Sequence, residues 1–395
     1  MPTCVDGGVL TSREITINGS GNPMSVGVGR FSEDGDADVV VLTRSPARLS
    51  VFRFDGAAFQ GVDEVAIGVE PMDLAVGSLD DDDFDDVVVV DGGDPSQGAV
   101  TLFWGASGGL FDDDSTSFDE PLPFPHSVDI GQMLGNSTPQ FVVSSGTAAN
   151  ATALFSVTDR QPMRSLTHPS VSASPWDTVL VQLNGDDPLE ALVAGSNDAG
   201  LDQDSFPGGD RVHVLSASVA DGISPLQVLD AAHSPFGVDA GDLDGDKIPE
   251  VVVVGKNIDM QAAVPEKSDN PSEISICSRD SFRDELVCDT WEPGPAHIGY
   301  NNIRLADLNC DGHLDAVIGT SGGTAGGDGA ILVAEGPLVS GFVPVVLGET
   351  GPLGNKIAIA DVTNDGAPDI VVPRYGTEGM AQGVVRVYSF EEQPE

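Results

Sequence analysis

Apolar residues along this chain come in short, dense runs separated by turn-forming residues. VVVL (39–42), VVVV (87–90), VVVV (251–254) and DIVV (369–372) are representative. No stretch sustains a 3.6-residue apolar period for three turns, so helices are not expected. Runs of this length, rich in β-branched residues and bounded by Gly, Asp, Asn and Pro, predict strands. The 48 Gly and 27 Pro are spread along the whole length, as many short strands joined by tight turns require. The pattern is all-β.

The strands follow an internal repeat. Three copies are plain: DLDGDKIPEVVVV (242–254), DLNCDGHLDAVIG (307–319) and DVTNDGAPDIVVP (361–373). Each has an acid at position 1, Asp, Asn or Thr at 3, Asp at 5 and Asp or Glu at 9, then an apolar strand. Anchored on position 9, SLDDDDFDDVVVV (78–90) and QLNGDDPLEALVA (182–194) keep most of these groups. RFSEDGDADVVVL (30–42) keeps Asp34 and Asp38, and QMLGNSTPQFVVS (132–144) keeps the frame without any acid. The seven copies start 48, 54, 50, 60, 65 and 54 residues apart, one four-stranded propeller blade each.

Within a unit one strand leads into the acidic loop, as in PFGVDAGD (235–242), and a second leaves it. A third follows a Gly-rich turn, as in RLSVFRF (48–54) and GVVRVYS (383–389). A fourth opens with a Gly-then-aromatic turn: DGAAF (55–59), SGGLF (107–111), VSGFV (339–343). The last unit lacks a fourth strand, and VLTSREITI (9–17) is left unassigned at the other end. The expectation is a single domain over 1–395, a seven-bladed β-propeller of four-stranded blades whose ring is closed by the N-terminal strand pairing with the last blade. The blades fall at about 23–67, 72–119, 126–168, 176–230, 235–290, 300–347 and 354–390, the last completed by 9–17. Closure removes the open sheet edges that invite aggregation.

The loop D-x-[DN]-x-D-G-x-x-D before an apolar strand resembles the FG-GAP/VCBS repeat, similar to the N-terminal propellers of integrin α chains. The resemblance covers nearly the whole chain. The literal FG survives at Phe236-Gly237, and the GAP element is not kept. It implies three to five calcium (Ca2+) sites, with side chains at positions 1, 3, 5 and 9 and a backbone carbonyl near 7. Calcium takes six to eight hard oxygens, which alternate positions of a tight loop can supply. The strongest sets are Asp242, Asp244, Asp246 and Glu250, then Asp307, Asn309, Asp311 and Asp315. Asp361, Thr363, Asp365 and Asp369 come next, then Ser78, Asp80, Asp82 and Asp86, with Asn184, Asp186 and Glu190 as a fifth. Gly at position 6 permits the left-handed turn. An EF-hand is disfavoured, because strands flank each loop and the Glu at position 12 is missing. The competing reading is an acidic turn with no ion.

Charge narrows the partners. The chain carries 17 basic and 63 acidic residues, a net charge of −46, and only four Lys. Such a surface repels nucleic acid and anionic membranes. Asp outnumbers Glu 46 to 17, and most of the excess beyond the loops is assigned to surface solvation. No apolar run is long enough to span a membrane. The four cysteines form no CxxC and no zinc spacing. Cys277 and Cys288 flank an expected hairpin and suit a local disulfide. A Cys4–Cys310 bridge would pin the ring closure. Disulfides point to an oxidising compartment, so an extracellular, cell-surface or periplasmic location is expected, although no leader is visible in MPTCVDGG.

No catalytic constellation stands out. GASGG around Ser107 and GTSGG around Ser321 sit in turns between strands, without the helix a nucleophile elbow needs. The six histidines are scattered. Loop length varies most at SNDAGLDQDSFPGGD (196–210) and KNIDMQAAVPEKSDN (256–270), opposite the acidic loops. Long loops on a rigid scaffold carry binding, so Asp198, Asp202, Asp204, Phe206, Asp210, Lys256 and Lys267 are the candidate ligand face. The leading expectation is a non-catalytic, extracellular, calcium-binding recognition or adhesion module for protein or glycan. Two alternatives share the scaffold: a secreted, lyase-like polysaccharide-active enzyme, and a self-assembling structural surface protein.

Overall fold

The computed structural model describes residues 9–17, 21–68, 70–92, 98–107, 110–111, 115–118, 122–146, 151–169, 174–185, 188–196, 211–255, 272–280, 282–293, 299–320, 329–349, 354, 356–374 and 383–391. Seven four-stranded antiparallel sheets stand in a ring, the blades of a β-propeller. The innermost strands are Asn22–Gly29, Pro71–Gly77, Pro125–Ile130, Ser174–Val181, Pro235–Gly241, Tyr300–Ala306 and Ala358–Ala360. Each runs into the repeat loop, acidic in every blade but the third, and returns as the second strand: Asp38–Arg44, Asp86–Asp91, Gln140–Ser145, Glu190–Ser196, Glu250–Gly255, Asp315–Thr320 and Asp369–Arg374.

The second strands read as unbroken apolar runs because a neighbouring blade covers each of their faces. Val39 to Leu42 and Val251 to Val254 are wholly buried. An outer strand has only one covered face, and Phe59–Ala66 accordingly alternates between partly buried and exposed. The core is therefore not one central cluster. It is seven clusters, one in each seam between adjacent blades.

Blade seven draws on both ends of the described chain. Ala358–Ala360, Asp369–Arg374 and Val384–Glu391 supply three strands, and Val9–Thr16 pairs antiparallel with the last of them, from Val9 opposite Glu391 to Thr16 opposite Val384. Ile15 and Ile17 then join Val26, Val39, Val41 and Phe52 of blade one and Val362, Val371, Val385 and Val387 in the closing seam.

Blade two departs from the sequence expectation. Leu110–Phe111 does not open the fourth strand but folds back on Gly105–Ala106, and Thr116–Phe118 is the outer strand. The cause is the Phe111 ring, which packs edge-on to Phe31 at 5.7 Å and against Phe103 at 5.6 Å in the seam with blade one. Its N–H is held by Asp63 Oδ2 at 2.9 Å.

Candidate functional site

All seven loops share one hydrogen bond. The side chain at position 9 is buried at the loop base and accepts the backbone N–H of position 2. The distances are 2.7 Å for Asp86 and Leu79, 2.9 Å for Gln140 and Met133, and 3.0 Å for Glu190 and Leu183. They are 3.0 Å for Glu250 and Leu243, 2.9 Å for Asp315 and Leu308, and 2.8 Å for Asp369 and Val362. Asp38 takes the N–H of Phe31 in the same way. The position 2 side chains (Phe31, Leu79, Met133, Leu183, Leu243, Leu308 and Val362) are buried in the seam with the following blade. Position 9 thus fixes the loop and, through position 2, plugs the seam.

The expected left-handed residue at position 6 is present as Gly35, Lys247, Gly312 and Gly366. A second occurs at position 4, where Gly245 has φ +85°, Cys310 +55° and Asn364 +58°. The loop therefore wraps through two left-handed residues, one on either side of position 5.

Loop five brings its expected ligand residues closest together. Ligand atoms of Asp242, Asp244 and Glu250 lie within 4.8 Å of one another, the sole such group among the described residues. The Asp242 carboxylate accepts the N–H groups of Gly245 (2.8 Å) and Lys247 (2.9 Å), and Asp244 that of Asp246 (3.0 Å). Asp246 accepts the N–H of Ile248 at 2.7 Å. Burial raises the Glu250 pKa, and repulsion from Asp244, Asp246 and Asp242 raises it further against the Leu243 N–H. Hard oxygens facing one another, with no paired Lys or Arg among the described residues, are a donor set suited to calcium.

Loops six and seven keep the frame. Asp307 accepts from Asp311 (3.0 Å) and Gly312 (2.9 Å), and Asn309 from Asp311 (2.9 Å). Asp361 accepts from Asp365 (3.2 Å) and Gly366 (2.9 Å). Thr363 lies 3.1 Å from Asp369, donating its hydroxyl. Burial raises both Asp315 and Asp369. Loop four brings the Asn184 amide to Glu190 at 2.7 Å, and Asp186 lies outside the described residues.

Loop two has a different counter-charge from the one expected. Asp80 and Asp82 are bridged by Arg160, from the outer hairpin of blade three, at 2.7 Å and 3.4 Å. The guanidinium also lies 5.3 Å over the Trp104 ring. Both oxygens of Asp86 are taken by the N–H groups of Leu79 (2.7 Å) and Gly105 (2.9 Å), and burial pushes its pKa up to about 7. Ser78 donates to the Asp80 carbonyl at 3.2 Å. Loop one is built alike, with Arg53 bidentate on Asp38 at 2.9 and 3.0 Å and 4.0 Å from Asp34. Loop three avoids the charge: Gln140 accepts from Met133 and Leu134 and donates to Asn136.

Cys277 and Cys288, directly opposite in one hairpin, form a disulfide. Cys310 is also disulfide-bonded, whereas Cys4 lies outside the described residues. So do Asp198, Asp202, Asp204, Phe206, Asp210, Lys256 and Lys267, together with Ser321.

A second polar constellation, on the ring axis, was not foreseen. Six innermost strands carry a β-bulge near their start, a device that re-aims side chains. The residues after the bulge are Ser25, Asp73, Ser127, Asp177, Gly237 and Asn302, and two further on stand Gly27, Ala75, Asp129, Val179, Asp239 and Arg304. Asp73, Asp129, Asp177 and Asp239 each accept an N–H of the next blade's innermost strand, from Val128, Leu180, Val238 and Leu305. Arg304 grips Asp177 two blades away at 3.0 and 3.2 Å, passing Gly237, where a Cβ would lie 2.8 Å from Asn302. Lys356 of blade seven reaches Asp73 of blade two at 3.5 Å, past Ser25 and Gly27 of blade one. Part of the signal lay in the sequence: Asp73 and Asp177 stand two residues after a Pro near the strand start, and Asp129 and Asp239 four after one.

No family model matches the chain, and no curated protein of related sequence was found. A crystal structure of a functionally unknown protein from Desulfotomaculum acetoxidans DSM 771 is similar over 90% of each chain, at 14% identity and a TM-score of 0.54. At that identity the likeness is one of fold.

Proposed function

We propose that the chain is a propeller of the FG-GAP/VCBS, integrin-like type that acts outside the cytoplasm as a non-catalytic, calcium-braced recognition or adhesion module for a protein or glycan. The observation that carries this reading is the convergence of Asp242, Asp244 and Glu250, with no paired cationic side chain among the described residues. Crowded carboxylates in a loop repel one another, and a divalent cation converts that repulsion into cross-linking. Loops six and seven have the same frame and, like loop five, no paired Lys or Arg among the described residues. The ion would hold position 9, hence position 2, hence the seam. The opposite face would then be presented on a stiff ring. The Cys277–Cys288 disulfide supports an oxidising compartment.

Calcium titration of chelator-stripped protein by calorimetry, with melting followed in parallel, tests the reading. Binding at the loops of blades five, six and seven is expected. Each site adds about 2.7 kcal/mol when calcium stands at about a hundred times its dissociation constant. No heat and an unchanged melting curve would sink it.

Self-assembly has one observation in its favour. The outer strands of blades four, five and six expose Leu226, Val228, Val287, Val345 and Val346. Light scattering across protein concentration, at a salt level that screens the net charge of −46, separates the two readings. A mass that grows with concentration supports assembly, and a constant monomer mass rules it out.

A further inference from the structure

The innermost strands open toward the acidic loops. Asn22–Gly29, Pro71–Gly77, Pro125–Ile130, Pro235–Gly241 and Tyr300–Ala306 are buried through their middle and partly exposed over their last two or three residues. All three residues of Ala358–Ala360 are partly exposed as well. A cavity of about 260 Å³ lies along these ends. Its wall is aliphatic, with Val28, Val76, Leu305 and Ile359 drawn from four blades, and Gly27 and Ala358 leave the room. Val28, Val76 and Ile359 stand two residues before loops one, two and seven, so the cavity reaches the loop end of the axis.

The floor of this funnel is polar and already engaged. Among the described lining residues, Asp129, Arg304 and Lys356 are the charged ones. Burial raises the pKa of Asp129, and Lys356 and Arg304 act against that rise. Arg304 is held by Asp177 at 3.0 and 3.2 Å, and Lys356 lies 3.5 Å from Asp73 and 3.2 Å from the Val128 carbonyl. A charged group entering here would compete with pairs already formed. An uncharged aliphatic group meets only the wall, and its burial releases water without breaking a pair. At about 30 Å³ per water the cavity equals roughly eight or nine waters, room for a branched aliphatic side chain.

The rim carries the opposite character. Loops one, two, six and seven, which follow the four wall strands, hold four, six, three and three acidic residues against one basic residue, Arg30. Such a rim gathers cations around the mouth. A small aliphatic molecule would use the wall alone, whereas a basic peptide with one aliphatic side chain uses wall and rim together.

We propose that the axial funnel is a docking pocket for a basic segment of a protein partner, taking one aliphatic side chain while the acidic loops hold the flanking Lys or Arg. The inference rests on the reading of the chain as a recognition module for protein. It adds a contact on the face of the loops and does not require calcium in them.

The test is calorimetric titration with the peptide acetyl-Gly-Lys-Leu-Lys-Gly-amide, in calcium and in chelator. Controls replace its Leu by Ala, or both of its Lys by Glu. Saturable binding of the parent peptide is expected. The Ala peptide should bind roughly tenfold to a hundredfold more weakly, the factor that burying such a side chain supplies. The Glu peptide should not bind, and added salt should weaken the parent. Ala358→Leu, which fills the funnel, should abolish binding, and Ile359→Ala, which removes part of the wall, should weaken it at least threefold if the first variant does not fold. No saturable binding at millimolar peptide, equal binding of either control, or affinity unchanged in a folded variant overturns the proposal. Calcium titration of the same samples keeps the two readings apart. Calcium sites without peptide binding overturn the funnel alone, and peptide binding without calcium sites overturns the loop reading alone.

Discussion

Glutamine stands at position 9 of the third loop, and its amide oxygen there accepts the position 2 N–H that a carboxylate oxygen accepts in the other six. The acid at position 9 therefore has two separable roles: capping the loop, which Gln can do, and charge, which Gln lacks. Glu250→Gln should remove one calcium site from the titration while leaving the melting point in chelator within about 2 °C of the parent. A large loss of stability in chelator would show that the charge itself holds the loop. Arg160→Ala tests the opposite case. Freed of its guanidinium, loop two should lose about 1 kcal/mol for the half-exposed ion pair and gain a weak calcium site at Asp80 and Asp82. An unaltered number of calcium sites would argue against the arginine as a resident substitute for a metal. The loop frame was legible in the sequence because it is local. Arg160 was not, because it lies 80 residues from Asp80 and only the closing of blade three against blade two brings it there.

One scale up, the hairpin formed by the first two strands of a blade is the working unit. Its loop opens on a plug at position 2, and the plug belongs to the seam with the next blade. Leu243 is 1% exposed and packs with Val252, Ile303 and Leu338. Leu243→Ala should cost about 2–5 kcal/mol in urea unfolding, as large-to-small changes in cores do. It should also weaken calcium at loop five, since the capping bond and the proposed ion would share Glu250. Intact calcium affinity in that variant would uncouple plug from ion. Strand order and closure could be read from the repeat, because a run buried on both faces has no other home in an all-β chain. The outer strand of blade two could not. A Gly-Leu-Phe turn looks like a strand start until the Phe finds a seam, and Phe111 does so between Phe31 and Phe103.

Across the whole ring, innermost strands meet at the axis without a shared sheet, and side chains join them instead. Asp239 illustrates the cost. Burial lifts its pKa to about 6 from the usual 3.8, despite the nearby Arg304. The folded chain then keeps a proton that the unfolded chain has released between about pH 4 and 6. This group's contribution to stability therefore grows as pH falls from 7 to 5. At pH 7 the carboxylate costs on the order of 3 kcal/mol. Asp239→Asn, neutral throughout, should melt above the parent at pH 7, with the gap narrowing at pH 5 and closing below about pH 4. A gap independent of pH would sink this account. The axial charges escaped a reading centred on the loops because they are dispersed along the sequence, one in each of six units, and converge only when the ring closes.

The closing strand also determines how the ring would bear force. Val9 lies opposite Glu391 and Thr16 opposite Val384, so the paired strands begin and end at the same edge of the blade. Tension applied through both flanks would open that ladder one residue pair at a time, like a zipper, rather than load all of its hydrogen bonds together in shear. Tension through one flank and a partner held on the opposite face would leave the zipper unloaded. A ring tethered from one side can therefore hold a partner under pull, whereas one strung between two tethers would part first at its closing seam.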